Sequence, residues 1–111
     1  MALHLPPPIA AFIEANKRLD LEGMMKQFRP DATFVDNDKI FVGQADIRSM
    51  LQNEAIAVQA VFEPDTVREE QGEIVLEGVA HGKFPGSPLR FTYRFTIVGE
   101  SIGKLETTVW S

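Results

Sequence analysis

Residues 28–51, FRPDATFVDNDKIFVGQADIRSML, decide the fold because they combine a hairpin with the beginning of a helix in one short stretch. The segments 32–36 and 40–42 flank Asn37-Asp38-Lys39, a run of turn-forming residues, and therefore predict a small hairpin. Asp36 lies at the end of the first predicted strand, and the functional interpretation below depends on its carboxylate.

Two helices are predicted before the hairpin. The first follows Pro6-Pro7-Pro8 and has one mostly apolar face, formed by Ile9, Phe12, Ile13 and Asn16. The second begins at Asp20, a residue type that caps helices, and carries Leu21, Met24, Met25 and Phe28. Pro30 is predicted to end this helix, and Asp31 to begin the turn into the first strand.

A third helix and four strands are predicted after the hairpin. Gly43 ends the hairpin, and the helix that follows has a stripe of Ile47, Met50, Leu51, Glu54, Ala55 and Val58. From about residue 60 the apolar period changes from helical to alternating, which predicts strands near 60–70, 73–84, 89–98 and 104–110. In the third of these strands the residues expected to face the helices are Phe91, Tyr93, Phe95 and Ile97.

This order of elements predicts a single α+β domain over residues 1–111. About three N-terminal helices would cover one face of an antiparallel sheet, and strands of about ten residues must curve to fit so small a domain. The predicted architecture is therefore a cone-shaped curved sheet whose helices close a mostly apolar pocket.

The composition excludes several classes of function. The net charge is −5 and no basic run exceeds Lys17-Arg18, so nucleic acid is not an expected partner. Cysteine is absent, the only histidines are His4 and His81, and no glycine-rich nucleotide loop occurs, so neither a metal nor a cofactor is predicted. Residues 1–8 lack the pattern of a secretory signal and no apolar run could span a membrane, which predicts a cytoplasmic protein.

Four segments carry a resemblance to a known superfamily: LDLEGMMKQF, PDATFVD, FVGQADIR and the closing GKLETTVW. Together they resemble the nuclear-transport-factor-2-like superfamily, particularly ketosteroid isomerases and SnoaL-like polyketide cyclases. The resemblance runs from about Pro8 to Trp110 and implies the cone-shaped fold. It also implies that Asp36 occupies the position of the general base, the carboxylate that moves a proton between two carbons of a ketone.

The positions of the isomerase oxyanion donors are different in this chain. Where the resemblance implies a tyrosine hydroxyl and a protonated aspartate, the sequence has Phe12 and Phe95, and neither ring can donate a hydrogen bond. Losing one such donor typically removes about 2.7–4 kcal/mol of transition-state stabilisation. We therefore do not expect a true ketosteroid isomerase.

Each remaining candidate residue has two interpretations. Asp36 either caps the turn or lines the pocket as a base, and Tyr93 is either a core residue or a catalytic hydrogen-bond donor. Asn16 and Glu54 are either ordinary polar positions or pocket residues facing a ligand. The full set of expected ligand-binding residues is Phe12, Asn16, Phe28, Phe34, Glu54, Phe95 and Trp110.

Two functions remain open at this stage. The first is a cofactor-independent isomerase, cyclase or lyase that acts on a small apolar carbonyl compound through Asp36. The second is a non-catalytic module that binds a small apolar molecule or serves as a dimeric scaffold. The resemblance also supports homodimerisation through the outer sheet face, whose expected residues are Val75, Val79, Thr92, Thr96 and Val98.

Overall fold

The computed structural model describes residues 4–110. Residues 1–3 and 111, which belong to the predicted domain and in part to the segment inspected for a secretory signal, lie outside the described residues. The helices are α1 (Pro7–Lys17), α2 (Leu21–Met25) and α3 (Gln44–Leu51), and α3 continues into a π-helical turn, Gln52–Ile56. The strands are β1 (Phe28–Asp36), β2 (Lys39–Val42), β3 (Val61–Glu70), β4 (Glu73–His81), β5 (Leu89–Val98) and β6 (Ser101–Val109). Within residues 4–110, no helix is long and apolar enough to cross a membrane.

The predicted α+β architecture is confirmed, with helices packed on a curved sheet of six strands. Capping at Asp20 also follows the prediction, since its side chain accepts a hydrogen bond of 3.0 Å from the backbone N–H of Gly23. The hairpin turn contains Asn37 at φ +56°, a left-handed conformation that asparagine tolerates better than most residues.

The prediction that Phe28 belongs to the second helix and that Pro30 ends that helix is wrong. Helix α2 ends at Met25, and Phe28 already begins β1, where it pairs with Ile102 of β6. The Ile102 N–H donates a hydrogen bond of 2.7 Å to the Gln27 carbonyl, so the pairing with β6 begins directly after α2. Pro30 lies within an irregular part of β1, where the pairing register shifts between Phe28 and Thr33.

The strand order is β2-β1-β6-β5-β4-β3. All neighbouring strands are antiparallel except β1 and β6, which are parallel. The prediction of an antiparallel sheet is therefore correct for four of the five pairs of neighbouring strands. A parallel pair requires a long crossover, and here the crossover is everything between the first and the last strand.

The core lies between the helices and the inner face of the sheet. Strand β5 is oriented as predicted, because Phe91, Tyr93, Phe95 and Ile97 all pack on the core cluster. The adjacent strand β4 contributes Leu76 and Ala80 to the same cluster, which decides the face that the sequence pattern left open.

The outer face of the sheet carries ion pairs over β3, β4 and β5. Arg90 makes two hydrogen bonds of 2.8 Å to the Asp65 carboxylate, and Arg94 bonds Glu70 at 2.9 Å. Val75, which was expected on a partner surface, pairs with Arg68 on one side and Arg94 on the other and is 0% exposed. It is therefore not available for contact with a partner unless these charged side chains move.

Candidate functional site

A cavity of about 200 Å³ lies between the helices and the inner face of the sheet. Its wall is mainly apolar and consists of Phe12, Met24, Phe34, Met50, Leu51, Ala55, Ala60, Phe62, Ala80, Phe84 and Phe91. Its polar residues are Asn16, Asp36, Asn37, Glu54, Tyr93 and Thr107. An apolar cavity with few polar groups is the usual form of a small-molecule site.

The entrance lies beside the hairpin. A polar depression lined by Asp36, Asn37, Asp38, Lys39, Phe41 and Glu54 adjoins the cavity. Asp36, Asn37 and Glu54 line both spaces, so the cavity opens between the hairpin turn and the π-helical turn. Glu54 is exposed at this entrance, while Asp36 is half-buried.

Three polar side chains form a row across the sheet. Tyr93 of β5 pairs with Thr107 of β6, and Thr107 pairs with Asp36 of β1. The Thr107 hydroxyl donates a hydrogen bond of 2.9 Å to Oδ1 of Asp36, and Thr107 is only 4% exposed. This bond holds the carboxylate in one orientation and leaves Oδ2 available to a ligand.

The hairpin turn is fixed to β6 at the same place. The Asn37 N–H donates to the Thr107 carbonyl at 2.8 Å, and the Asn37 side-chain oxygen accepts from the Val109 N–H at 3.0 Å. These bonds anchor the residue that follows Asp36. The position of the carboxylate is therefore determined from both its side chain and its backbone.

The hydroxyl of Tyr93 is available as a hydrogen-bond donor. Its ring stacks on Phe62 with centroids 3.8 Å apart, while the cavity leaves part of the residue accessible. Burial raises the pKa of the Tyr93 hydroxyl, and the negative charge of Asp36 raises it further. The hydroxyl therefore keeps its proton at neutral pH, and it has no hydrogen-bond partner among residues 4–110.

The family model of the SnoaL-like domain matches residues 9–102. The chain belongs to this family. No curated protein matches the sequence of this chain.

Solved structures share the fold. A candidate polyketide cyclase from Sinorhizobium meliloti is 28% identical, with a TM-score of 0.87, and the match covers 94% of this chain and 95% of that protein. A protein of unknown function from Cytophaga hutchinsonii, described as nuclear-transport-factor-2-like, is 13% identical at a TM-score of 0.79, with 99% and 93% covered. A protein with a ketosteroid isomerase-like fold from Catenulispora acidiphila, solved with trimethylamine, is 17% identical at a TM-score of 0.77, with 95% and 86% covered. The last two show the fold alone.

The SnoaL-like domain brings six of the sequence-predicted site residues to the cavity. These are Phe12, Asn16, Phe34, Asp36, Glu54 and Tyr93. Thr107 was missed, because its contact with Asp36 joins residues 71 positions apart and depends on the parallel pairing of β6 with β1. The alternation of Leu105 and Thr107 in β6 was the available signal, since both residues are buried.

Three predicted binding residues lie outside the cavity lining. Phe95 is 0% exposed and packs edge-on against Phe12, with ring centroids 5.9 Å apart. Phe28 is buried behind Phe12 at 5.6 Å, also edge-on, because it belongs to β1 and not to α2. Trp110 is 48% exposed, bonds Thr92 through its indole N–H at 2.7 Å, and lies beneath the Arg90 guanidinium on the outer face.

Asn16 lines the cavity, but its polar atoms are already used. Its Nδ2 donates to the Ala60 carbonyl at 2.9 Å, and its Oδ1 accepts from the Phe62 N–H at 2.8 Å. The side chain is 5% exposed and joins α1 to the beginning of β3. Asn16 is therefore a structural link between the helices and the sheet, although it also lines the cavity as expected of a pocket residue.

Proposed function

We propose that this SnoaL-like domain catalyses a cofactor-independent proton transfer on a small apolar carbonyl compound, as an isomerase, cyclase or lyase. The observation that carries the proposal is the row of Tyr93, Thr107 and Asp36 on the floor of an aromatic cavity. A carboxylate and a protonated hydroxyl that line the same cavity can act on different atoms of one bound substrate.

The proposed step is an enolisation. Asp36 removes a proton from the carbon next to the carbonyl, the electron pair of that C–H bond forms a C=C bond to the carbonyl carbon, and the π pair of the carbonyl moves to its oxygen. Tyr93 donates a hydrogen bond to this oxygen as its negative charge develops. Asp36 then returns the proton to another carbon of the substrate, or to the same one. Thr107 keeps the carboxylate oriented throughout.

The cavity size limits the substrate. An apolar cavity of about 150 Å³ accommodates benzene. The cavity described here measures about 200 Å³, which suits one ring with a short side chain. Phenylacetone, an enolisable ketone of this size, is therefore an appropriate test compound.

The experiment measures hydrogen exchange at the carbon next to the carbonyl. Incorporation of deuterium from D₂O into phenylacetone is followed by NMR for the wild type, Asp36→Asn and Glu100→Gln. Loss of a general base typically costs about 10²–10⁴ in rate, so Asp36→Asn should lose nearly all exchange. Glu100 lies in the exposed β5–β6 turn, outside the lining of the cavity and of its entrance, and its variant should match the wild type. Equal exchange by Asp36→Asn and the wild type would contradict the proposal.

The alternative is a non-catalytic binding module or dimeric scaffold. The phenylalanines at positions 12 and 95 support it. They occupy the two positions where ketosteroid isomerases have their oxyanion donors, and neither carries a polar group. If the protein binds a ligand but incorporates no deuterium into any enolisable ketone of suitable size, the binding module is favoured.

Homodimerisation through the outer sheet face is proposed for either function. Exposed apolar side chains at opposite ends of the β5–β6 pair, Val98 at 43% and Trp110 at 48%, support a contact that extends along these two strands. Multi-angle light scattering at micromolar concentration should give twice the monomer mass. A monomer at that concentration would remove the proposal.

A further inference from the structure

The wall of the cavity is rich in aromatic rings. Six of the chain's ten aromatic residues (eight Phe, one Tyr and one Trp) line it: Phe12, Phe34, Phe62, Phe84, Phe91 and Tyr93. The face of an aromatic ring carries partial negative charge and attracts cations, most strongly where water is excluded. The rings therefore make the wall apolar, and their faces also carry partial negative charge.

Both carboxylates at this cavity lack a cationic partner among the described residues. Seven other acidic residues form ion pairs with arginine: Asp20, Glu22, Asp31, Asp65, Glu70, Glu73 and Glu77. Asp36 and Glu54 form none within residues 4–110. No lysine, arginine or histidine lines the cavity. Lys39 lines the depression at the entrance, where the carboxylates of Asp36, Asp38 and Glu54 outnumber it.

An anionic ligand would therefore meet unfavourable conditions. Its charge would lose water on entering and would find two carboxylates and no cation in the lining. A protonated amine loses water too, but the carboxylates of Asp36 and Glu54 compensate this loss.

We infer that the cavity takes a small apolar ligand carrying a protonated amine. The apolar part fills the aromatic space, and the ammonium group lies toward the entrance between Asp36 and Glu54. This inference rests on the same cavity as the proposed function and deepens it, since it assigns a charge to the substrate. It would make the natural substrate an amine-bearing carbonyl compound of about one ring.

The test compares three probes of nearly equal size at pH 7: phenethylamine, which is cationic, 2-phenylethanol, which is neutral, and phenylacetate, which is anionic. Isothermal titration calorimetry gives the dissociation constants. Phenethylamine should bind about 5- to 30-fold more tightly than 2-phenylethanol, as a charge-assisted contact with a carboxylate implies, and phenylacetate should bind most weakly. Equal affinities, a reversed order, or no binding of phenethylamine at millimolar concentration would overturn the inference.

Methionine methyl groups report whether the probe enters the cavity. Met24 and Met50 line it, while Met25 is buried elsewhere in the core. In spectra of protein labelled with ¹³C at the methionine methyls, phenethylamine should shift the signals of Met24 and Met50 and leave that of Met25 in place. A shift confined to other signals would place the probe elsewhere and overturn the inference.

Variants separate the effect of each charge. Asp36→Asn keeps an oxygen that can accept from Thr107, and Glu54→Gln alters an exposed side chain, so both should fold. Each should reduce the preference for phenethylamine over 2-phenylethanol by about 2- to 10-fold, a change of the size expected for one charged contact. Glu100→Gln, in the exposed β5–β6 turn, removes the same charge away from the cavity and should leave the preference unchanged. If Asp36→Asn and Glu54→Gln behave like Glu100→Gln, the inference is wrong.

The two proposals can fail separately. Deuterium exchange into neutral phenylacetone without any preference for the cationic probe would support the proposed reaction and overturn the charge assignment. A clear preference for phenethylamine without exchange in any ketone would support the charge assignment and overturn the proposed reaction.

Discussion

Tyr93 is the residue whose hydroxyl the proposed reaction requires as a donor and a binding module does not. The phenylalanine at position 12 faces the cavity but cannot donate, and the one at position 95 is buried behind it. The hydroxyl of Tyr93 is two residues from Phe95 on the same face of β5, and it faces the cavity instead. A donor on the sheet can therefore take the role that the helix position has lost.

Replacing Tyr93 by phenylalanine tests this role. The change removes the hydroxyl and keeps the ring that stacks on Phe62. If Tyr93 stabilises the enolate, deuterium exchange into phenylacetone should fall by about 10²–10³, while the affinity for 2-phenylethanol changes much less. Thr108→Val, which removes a hydroxyl from an exposed position of β6, serves as the control. An unchanged exchange rate in Tyr93→Phe would assign the carbonyl contact to another group.

At this scale the sequence predicted part of the site. Asp36 was predicted from its place at the hairpin and from the family resemblance, and Tyr93 from its alternation with Phe91 and Phe95. The alternation in β6 could have indicated that Thr107 faces inward, but its contact with Asp36 at 2.9 Å could not be predicted, because nothing local indicates that β6 lies parallel to β1.

At the scale of elements, Asn16 links the helical layer to the sheet. Its side chain bonds the backbone of Ala60 and Phe62, at the point where the chain leaves the helices and begins β3. The same helix face carries Phe12, so the link also positions the cavity wall. A polar residue on an apolar helix face signalled a ligand contact in the sequence, yet its partners are backbone groups 44 and 46 residues away.

Replacing Asn16 by alanine should lower the stability of the fold. We expect this loss to be larger than any loss of affinity for a ligand. Both backbone partners would lose their bond in a largely buried place, at about 1–3 kcal/mol for each group left unsatisfied. We expect the free energy of unfolding to fall by about 2–4 kcal/mol in urea titrations. Lys17→Ala, at the next and exposed position of α1, should change it by less than about 0.5 kcal/mol. A loss in Asn16→Ala as small as that would show that water replaces the link.

The end of α3 illustrates a second limit at this scale. The stripe of apolar residues predicted one continuous helix, but the helix widens into a π-helical turn over Gln52–Ile56. Such turns often occur at functional sites. Here the turn carries Glu54 and Ala55, which line the cavity at its entrance. Apolar periodicity locates a helix, but it does not resolve a local change from one helical hydrogen-bond pattern to another.

At the scale of the whole molecule, ion pairs on the outer sheet face connect β3 with β4 and β5. Hydrogen bonds from Arg90 lower the pKa of Asp65, and those from Arg68 and Arg94 lower the pKa of Glu70. These carboxylates hold protons less readily in the folded state than in the unfolded state. Their contribution to the stability of the fold is therefore present above the ordinary pKa values of 3.8 and 4.5. It is lost as the pH falls through that range and below.

Thermal unfolding between pH 7 and pH 3 checks this behaviour. The melting temperature should be nearly constant above the ordinary carboxyl pKa and fall below it, because unfolding then takes up protons. Arg90→Gln should change the melting temperature little at pH 7, since exposed ion pairs contribute little, and should weaken its dependence on acid. A variant with the same acid dependence as the wild type would show that the Asp65 pair plays no part.

The sequence by itself determined the fold class, the order of most elements, the cap at Asp20 and the inward face of β5. These features follow from turn-forming residues, capping residues and apolar period, all of which act over a few neighbouring positions. The tertiary structure decided which side chains meet: Thr107 reaches Asp36, Asn16 joins the backbone of β3, and Phe95 is buried behind the cavity wall. The physical reason is that these contacts depend on strand register and sheet curvature between segments far apart in the chain, which no local pattern specifies.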